Sequence, residues 1–142
     1  EENRAVWTLD ARADEPTVMT QVMPVGEHLK EDIEGISLYQ TQQQNFLVIS
    51  SQGNNSYVIL DALPPFDYRG VFRIGFNTAT GIDGVSETDG LDVTSINLGQ
   101  PWQQGMLVVQ DGRNRMPRAN QNFKYVPWSA IADQLGLTDI SK

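Results

Sequence analysis

Cysteine is absent from all 142 residues, and with it disulfides and thiolate metal sites. A secreted protein can also lack cysteine, so this absence assigns no compartment. Histidine occurs once, as His28. A single imidazole cannot build a His-rich zinc site, and beside Glu27 and Lys30 it reads as a surface residue. Basic residues are scarce: 10 Lys and Arg face 18 Asp and Glu, for a net charge of −8. Nucleic acids and anionic membranes need a basic footprint, so neither is expected as a partner. Cations are favoured instead, or an anionic ligand that arrives with its own cations. No apolar run approaches the roughly 20 residues of a membrane-spanning helix. Nucleophile elbow, P-loop and GxGxxG are all missing. Ser50, Ser51 and Ser56 have no evident base, which argues against covalent acyl chemistry. The chain opens "EENRAVW" with neither initiator Met nor signal peptide, and reads as a mature product, a cropped chain or a fragment.

What is present is enough apolar material, 39%, to bury a core. Short runs rich in β-branched residues recur between Gly, Asn, Asp and Pro clusters. Strands are expected in "AVWTLDA", "GISLY", "FLVISS", "SYVIL", "GVFRIG", "LDVTSINL", "GMLVVQD" and "FKYVP". One helix is expected, "SAIADQLG", with Ser129 as its cap, Ile131 and Leu135 on one face, and Gly136 ending it. Trp7, Trp102 and Trp128 are spread along the chain and read as packing residues. The class is all-β.

A faint repeat runs through the strands. "EGISL" resembles "DGLDV", and "LVISSQGNN" resembles "LVVQDGRN"; Gly35 to Gly90 is 55 residues and Gly53 to Gly112 is 59. Several strands per unit at this spacing fit the blades of a propeller. Chance similarity of glycine-rich turns is the alternative. The chain holds about two and a half such units, whereas a propeller needs about four to eight blades, so this would be part of one.

Acidic residues cluster twice. In "EDIEG", an extended backbone would project Asp32 and Glu34 together and Ile33 oppositely. In "GIDGVSETDGLD", residues 81–92, Asp83, Glu87, Asp89 and Asp92 stand among three glycines with no Lys or Arg in the stretch. Such carboxylates are either solvated or neutralised by a hard cation such as Ca²⁺, which takes about six to eight oxygens. Neither stretch follows an EF-hand loop or the calcium nonapeptide. Asp83 and Asp89 are candidate ligands, and Asp92 is expected to cap or solvate a turn.

These motifs together, "DIEGISLY", "SSQGNNSY", "GIDGVSETDGLDV", "VVQDG" and "NQNFKYVPWSAIA", resemble the β-propeller (alkaline) phytases over most of the chain. The resemblance implies a six-bladed propeller, of which residues 1–142 would be the C-terminal two to three blades with a short terminal helix. It implies several calcium ions and removal of phosphates from myo-inositol hexakisphosphate (phytate), as by a 3-phytase. Glu2, Asp32, Glu34 and Asp89 then match acids of the catalytic cleft, and Asp83 matches another calcium-binding acid. Gln52, Asp111 and Asn114 lie in matching motifs as weaker metal candidates. The family's phosphate-gripping Lys, Arg and Tyr residues lie in earlier blades, which this sequence does not contain. The missing N-terminal blades, or self-association, are therefore expected as partners, and secretion as the localisation.

Physics accommodates this reading. Phytate is densely anionic, and a bare carboxylate cleft repels it; at about 4 Å and an effective dielectric of about 20, each like-charge pair costs about 4 kcal/mol. Calcium bridging acids and phosphates reverses that sign. Direct attack by a metal-activated water, without a phosphoenzyme, is the expected mechanism.

Overall fold

In the centre of the computed structural model, which describes residues 1–137, lie two strands that are apolar on both faces. These are β4 (Asn45–Ser51) and β5 (Ser56–Asp61), paired antiparallel with Ile49 opposite Val58. Alternate side chains of a strand face opposite ways, and here each direction meets a separate core. Val48 and Ile59 contribute to one, with Tyr57, Leu107, Val109 and Trp128. Ile49, Val58 and Leu60 contribute to the other, with Val6, Leu29 and Ile33. A sheet covered on both sides explains why "FLVIS" and "YVIL" read as continuous apolar runs rather than alternating ones.

The central sheet is a four-stranded meander, β3 (Ile36–Gln40), β4, β5 and β6 (Tyr68–Phe72). One flank is covered by a two-stranded sheet of β1 (Ala5–Thr8) and β2 (Thr20–Pro24). The other is covered by a three-stranded sheet of β7 (Leu91–Thr94), β8 (Met106–Asp111) and β9 (Asn122–Pro127). The eight expected strands are all found, several of them shorter or shifted. β2 was not expected: "TQVMP" has little β-branched character and is exposed or half-buried along its length. The helix α1 (Trp128–Leu135) closes the core that holds Val48 and Ile59. Its C-terminus is as expected, with Gly136 in the left-handed region at φ 65°. Its N-terminus is not: Pro127 takes the capping position without a side-chain bond, and Ser129 lies inside the helix. Trp128 stacks on Tyr39 with ring centroids 3.7 Å apart, which fixes the start of the helix against the central sheet.

The sequence repeat has a physical counterpart. Gly35 and Gly90 each precede the first strand of a sheet, and their carbonyls accept from Ser50 N–H (2.8 Å) and Gln110 N–H (2.9 Å) on the second strand. Gly53 and Gly112 each follow that second strand. A Cβ on Gly53 would lie 2.8 Å from the Glu31 carbonyl, and one on Gly112 2.6 Å from the Glu87 carbonyl. Each glycine therefore lets a strand end press on the acidic loop that enters its own sheet. The first strands β3 and β7 lie side by side, so the two acidic loops meet.

Candidate metal site and its neighbour

The first acidic loop, residues 31–34, is built by what lies beneath it. Ser51 Oγ accepts from Lys30 N–H at 2.8 Å. The 3-10 turn Gln52–Asn54 then places Gln52 N–H on the Asp32 carbonyl (3.0 Å) and Gly53 N–H on the Glu31 carbonyl (3.1 Å). Ile33 is buried in the core between β1–β2 and the central sheet, and its N–H donates to the Glu2 carbonyl at 3.2 Å. Asp32 and Glu34 thus project away from the core, as expected. The backbone is not extended, however, because Asp32 has φ 60°. The expected geometry of a strand is replaced by a left-handed turn at an Asp, which tolerates that region better than most residues.

Asp89 arrives from the second acidic loop. Its neighbour Thr88, 3% exposed, is the anchor. The Thr88 carbonyl accepts from Ser50 Oγ at 2.8 Å, and its hydroxyl shares a 2.5 Å hydrogen bond with Tyr57 OH. Burial pushes the Tyr57 phenol up to about 12 despite that bond, so it is a neutral strut at physiological pH. Asp89 N–H donates to Gln110 Oε1 at 2.8 Å, and Gln52 Nε2 donates to Asp89 Oδ1 at 2.5 Å. Gly35 packs against the Asp89 carbonyl, where even a Cβ would stand 3.0 Å away.

The outcome is electrostatic. Lost hydration, then the charges of Glu2, Asp89 and Asp32 in that order, raise the carboxyl of the exposed Glu34 above its ordinary value. Acids from three separate segments therefore bear on Glu34. Among the described residues none of them has a Lys, Arg or His in ion-pair contact. Nor do three described acidic or His side chains already form a group that could hold a metal ion. The donor set is nonetheless that of a hard divalent cation: carboxylate and amide oxygens only, with surplus negative charge. The residues fit such an ion, which would remove the repulsion now borne by Glu34.

The second acidic loop is handled differently. Asp83 is 8% exposed and Asp111 is fully buried. The Lys124 ammonium lies 2.9 Å from Asp83 Oδ1 and 2.9 Å from Asp111 Oδ2, with Asn122 Oδ1 as a third acceptor at 2.8 Å. Asp83 Oδ2 accepts from Arg115 N–H (2.6 Å) and Met116 N–H (3.3 Å). Asp111 Oδ1 accepts from Ser86 N–H at 3.1 Å and Arg113 N–H at 3.3 Å. The Arg115 amide first, then Lys124, hold the Asp83 carboxyl below its usual range. Burial alone would depress the Lys124 ammonium, but its bonds to Asp83 and Asp111 outweigh this and raise it. Glu87 pairs with Arg113. The stretch that lacks basic residues of its own is thus neutralised from β9 and from the loop after β8. Asn114 donates from Nδ2 to the Asn120 carbonyl at 3.1 Å, and Asp92 accepts from Ser37 Oγ at 2.7 Å.

Of the residues expected from the sequence, Glu2, Asp32 and Asp89 act by charge on Glu34, and Gln52 is bonded to Asp89. Sequence reasoning missed Thr88, Tyr57, Gln110 and Lys124. Lys124 carried no signal in the sequence: the alternation in "FKY" points the lysine outward, whereas Phe123 and Tyr125 are exposed and Lys124 is buried. His28 stacks on Tyr68 with ring centroids 4.0 Å apart.

Two acidic loops, held by two sheets built on one plan, thus stand beside each other on an all-β scaffold. The sequence profile of the Phytase family matches residues 1–142, and the chain belongs to that family. It is 38% identical over 147 residues to the 3-phytase of Bacillus subtilis (strain 168), an alignment covering 100% of this chain. The chain spans 38% of the length of that relative.

Proposed function

We propose that this chain is part of a calcium-dependent phytase, a phosphoric monoester hydrolase acting on myo-inositol hexakisphosphate, folded as consecutive blades of a propeller. One observation carries the reading: the charges of Glu2, Asp89 and Asp32 all bear on Glu34, and among the described residues none of the four has a Lys, Arg or His in ion-pair contact. Family membership supports the substrate class. The share of the relative that is spanned supports a site completed by N-terminal blades. Secretion is carried over on the same grounds of resemblance.

Glu2, Asp32, Glu34 and Asp89 would hold the ion, with Gln52 keeping Asp89 turned toward Glu34. A divalent ion bound there supplies Lewis acidity and a local positive charge facing the phosphates. The protein's own contribution is positional. Thr88, clamped by Ser50 and Tyr57, fixes where Asp89 stands, and the 3-10 turn fixes Asp32. With a divalent ion at these acids, direct attack of water on phosphorus is favoured, without a phosphoenzyme. Asp83 and Asp111 stand outside this ligand set, because their oxygens are already bonded to Lys124 and to backbone amides.

A second reading has its own support. Among the described residues no Lys or Arg side chain pairs with the four acids, so residues 1–142 alone can bind calcium or calcium phytate without turnover. Calcium titration by calorimetry, beside phosphate release from phytate with and without chelator, tests both. Asp32→Ala or Glu34→Ala should weaken calcium binding at least about tenfold, the loss that even an indirect partner of a metal causes. Asp92→Ala should change it little. Equal and negligible effects from all three would remove the assignment.

A further inference from the structure

In a chain with 10 basic residues against 18 acidic ones, three arginines fall within six positions: Arg113, Arg115 and Arg118. Arg113 is spent on Glu87. Arg115 and Arg118 face each other as an isolated antiparallel bridge pair in the loop between β8 and β9. Residues directly opposite in such a pair project to the same side, and like charges placed so destabilise the pairing. Both arginines are exposed, and among the described residues neither guanidinium has a carboxylate partner. The fold nevertheless holds them in place. Arg115 N–H is bonded to Asp83 Oδ2 at 2.6 Å, Ala119 N–H to the Asn114 carbonyl at 3.3 Å, and Asn114 Nδ2 to the Asn120 carbonyl at 3.1 Å. The backbone that carries both arginines is thus fixed, and opposite positions of the bridge project their side chains to the same side.

The root of this hairpin is shared with the loop that carries Asp89. Gly112 N–H donates to the Ser86 carbonyl at 2.8 Å, and Gln110 bridges Asp89 N–H (2.8 Å) to Gln121 Oε1 (3.2 Å).

We propose that Arg115 and Arg118 form an anion fork that grips one phosphate group of a multiply phosphorylated small molecule, independently of any metal ion. A guanidinium presents paired N–H donors that match two phosphate oxygens, and two of them on one face enclose a dianion. An anion between the arginines converts their mutual repulsion into attraction. The fork deepens the proposed phytase reading and rests on it for the ligand: a hexakisphosphate has phosphates to spare beyond the one being cleaved.

The test is calorimetric titration of the chain with myo-inositol hexakisphosphate in excess EDTA, at low and at raised salt. The wild-type chain should bind, and binding should weaken as salt screens the exposed charges. Arg115→Gln with Arg118→Gln should weaken it roughly tenfold or more, the loss expected from two charge-assisted contacts. Both side chains are exposed, so circular dichroism should show the fold unchanged, and Arg115→Lys with Arg118→Lys should restore binding in part. Asp32→Ala should not weaken this metal-free binding, while it should weaken the calcium-dependent component at least about tenfold. Failure of the acidic site and failure of the fork are therefore separable. Absence of binding in EDTA, or equal binding by the doubly substituted and wild-type chains, overturns the fork.

Discussion

Two acidic loops enter two neighbouring sheets on the same structural plan, and they solve the same electrostatic problem in opposite ways. At Asp83 and Asp111 the chain brings its own cation, the Lys124 ammonium, with every hydrogen of that ammonium placed on an oxygen. At Glu2, Asp32, Glu34 and Asp89 it brings none among the described residues, and Glu34 carries the cost as a raised pKa. A count of carboxylates does not separate these cases. The difference lies in whether a lysine from another strand can reach the cluster, and that decides which loop is left wanting an external ion.

The largest expected effect breaks the neutralised side. Lys124→Met leaves Asp83 and Asp111 facing each other in a place water barely reaches. Removing one partner of a buried ion pair costs about 3–5 kcal/mol. Urea unfolding should report that loss even in excess calcium if the loop depends on the ammonium. A loss below about 1 kcal/mol would mean that the two clusters are not different in kind.

The next effect sharpens the link between them. Thr88→Val strands Tyr57 OH and removes the strut behind Asp89, and leaving a buried polar group unpaired costs about 1–3 kcal/mol. Tyr57→Phe should cost less. Thr88→Val should also weaken calcium binding, whereas Tyr57→Phe with Thr88→Val should recover stability relative to Thr88→Val alone, since no polar group is then left stranded. A double-mutant cycle by thermal unfolding and calorimetry reads both.

How much of this was legible beforehand follows from the physics of each element. "FLVISS" and "SYVIL" were readable because both faces of their sheet are buried, so almost every residue is apolar. β2 was not, because it is held by pairing with β1 more than by its own burial. Gly136 was readable as a helix end because a left-handed cap favours glycine, while the start was misplaced because Pro127 needs no side-chain bond to begin a helix. The acids of "EDIEG" were found from local spacing. The Lys124 partnership was out of reach of local spacing, since it joins residues 13 and 41 positions apart through strand pairing.

Acid should separate the clusters by sign. Asp83 has a folded pKa below its model-peptide value of 3.8, so its contribution is present above that value and lost as pH falls through the lower, folded one. Lys124, raised above 10.5, contributes fully below that value and loses its contribution only as pH rises through the folded pKa. The Asp83–Lys124 side should therefore be flat across neutral pH and fail only in strong acid or strong base. Following the Lys124 and Asp83 side-chain resonances by NMR across both limits checks it, and a transition near neutrality would contradict it.

The smallest effect bears on the unneutralised side. Without metal, Glu34→Gln removes one of four mutually repelling charges and should raise the unfolding temperature slightly. Glu34 is exposed and solvent screens it, so the gain should be less than about 1 kcal/mol. In saturating calcium the same substitution removes a proposed ligand and should lower the unfolding temperature instead. The reversal of sign, rather than its size, is the informative quantity, because a solvated acidic turn would respond alike in both conditions. Differential scanning calorimetry of the variant and wild-type chains, in EDTA and in calcium, reads that sign. Matching shifts in the two buffers would return Glu34 to the status of an ordinary surface acid.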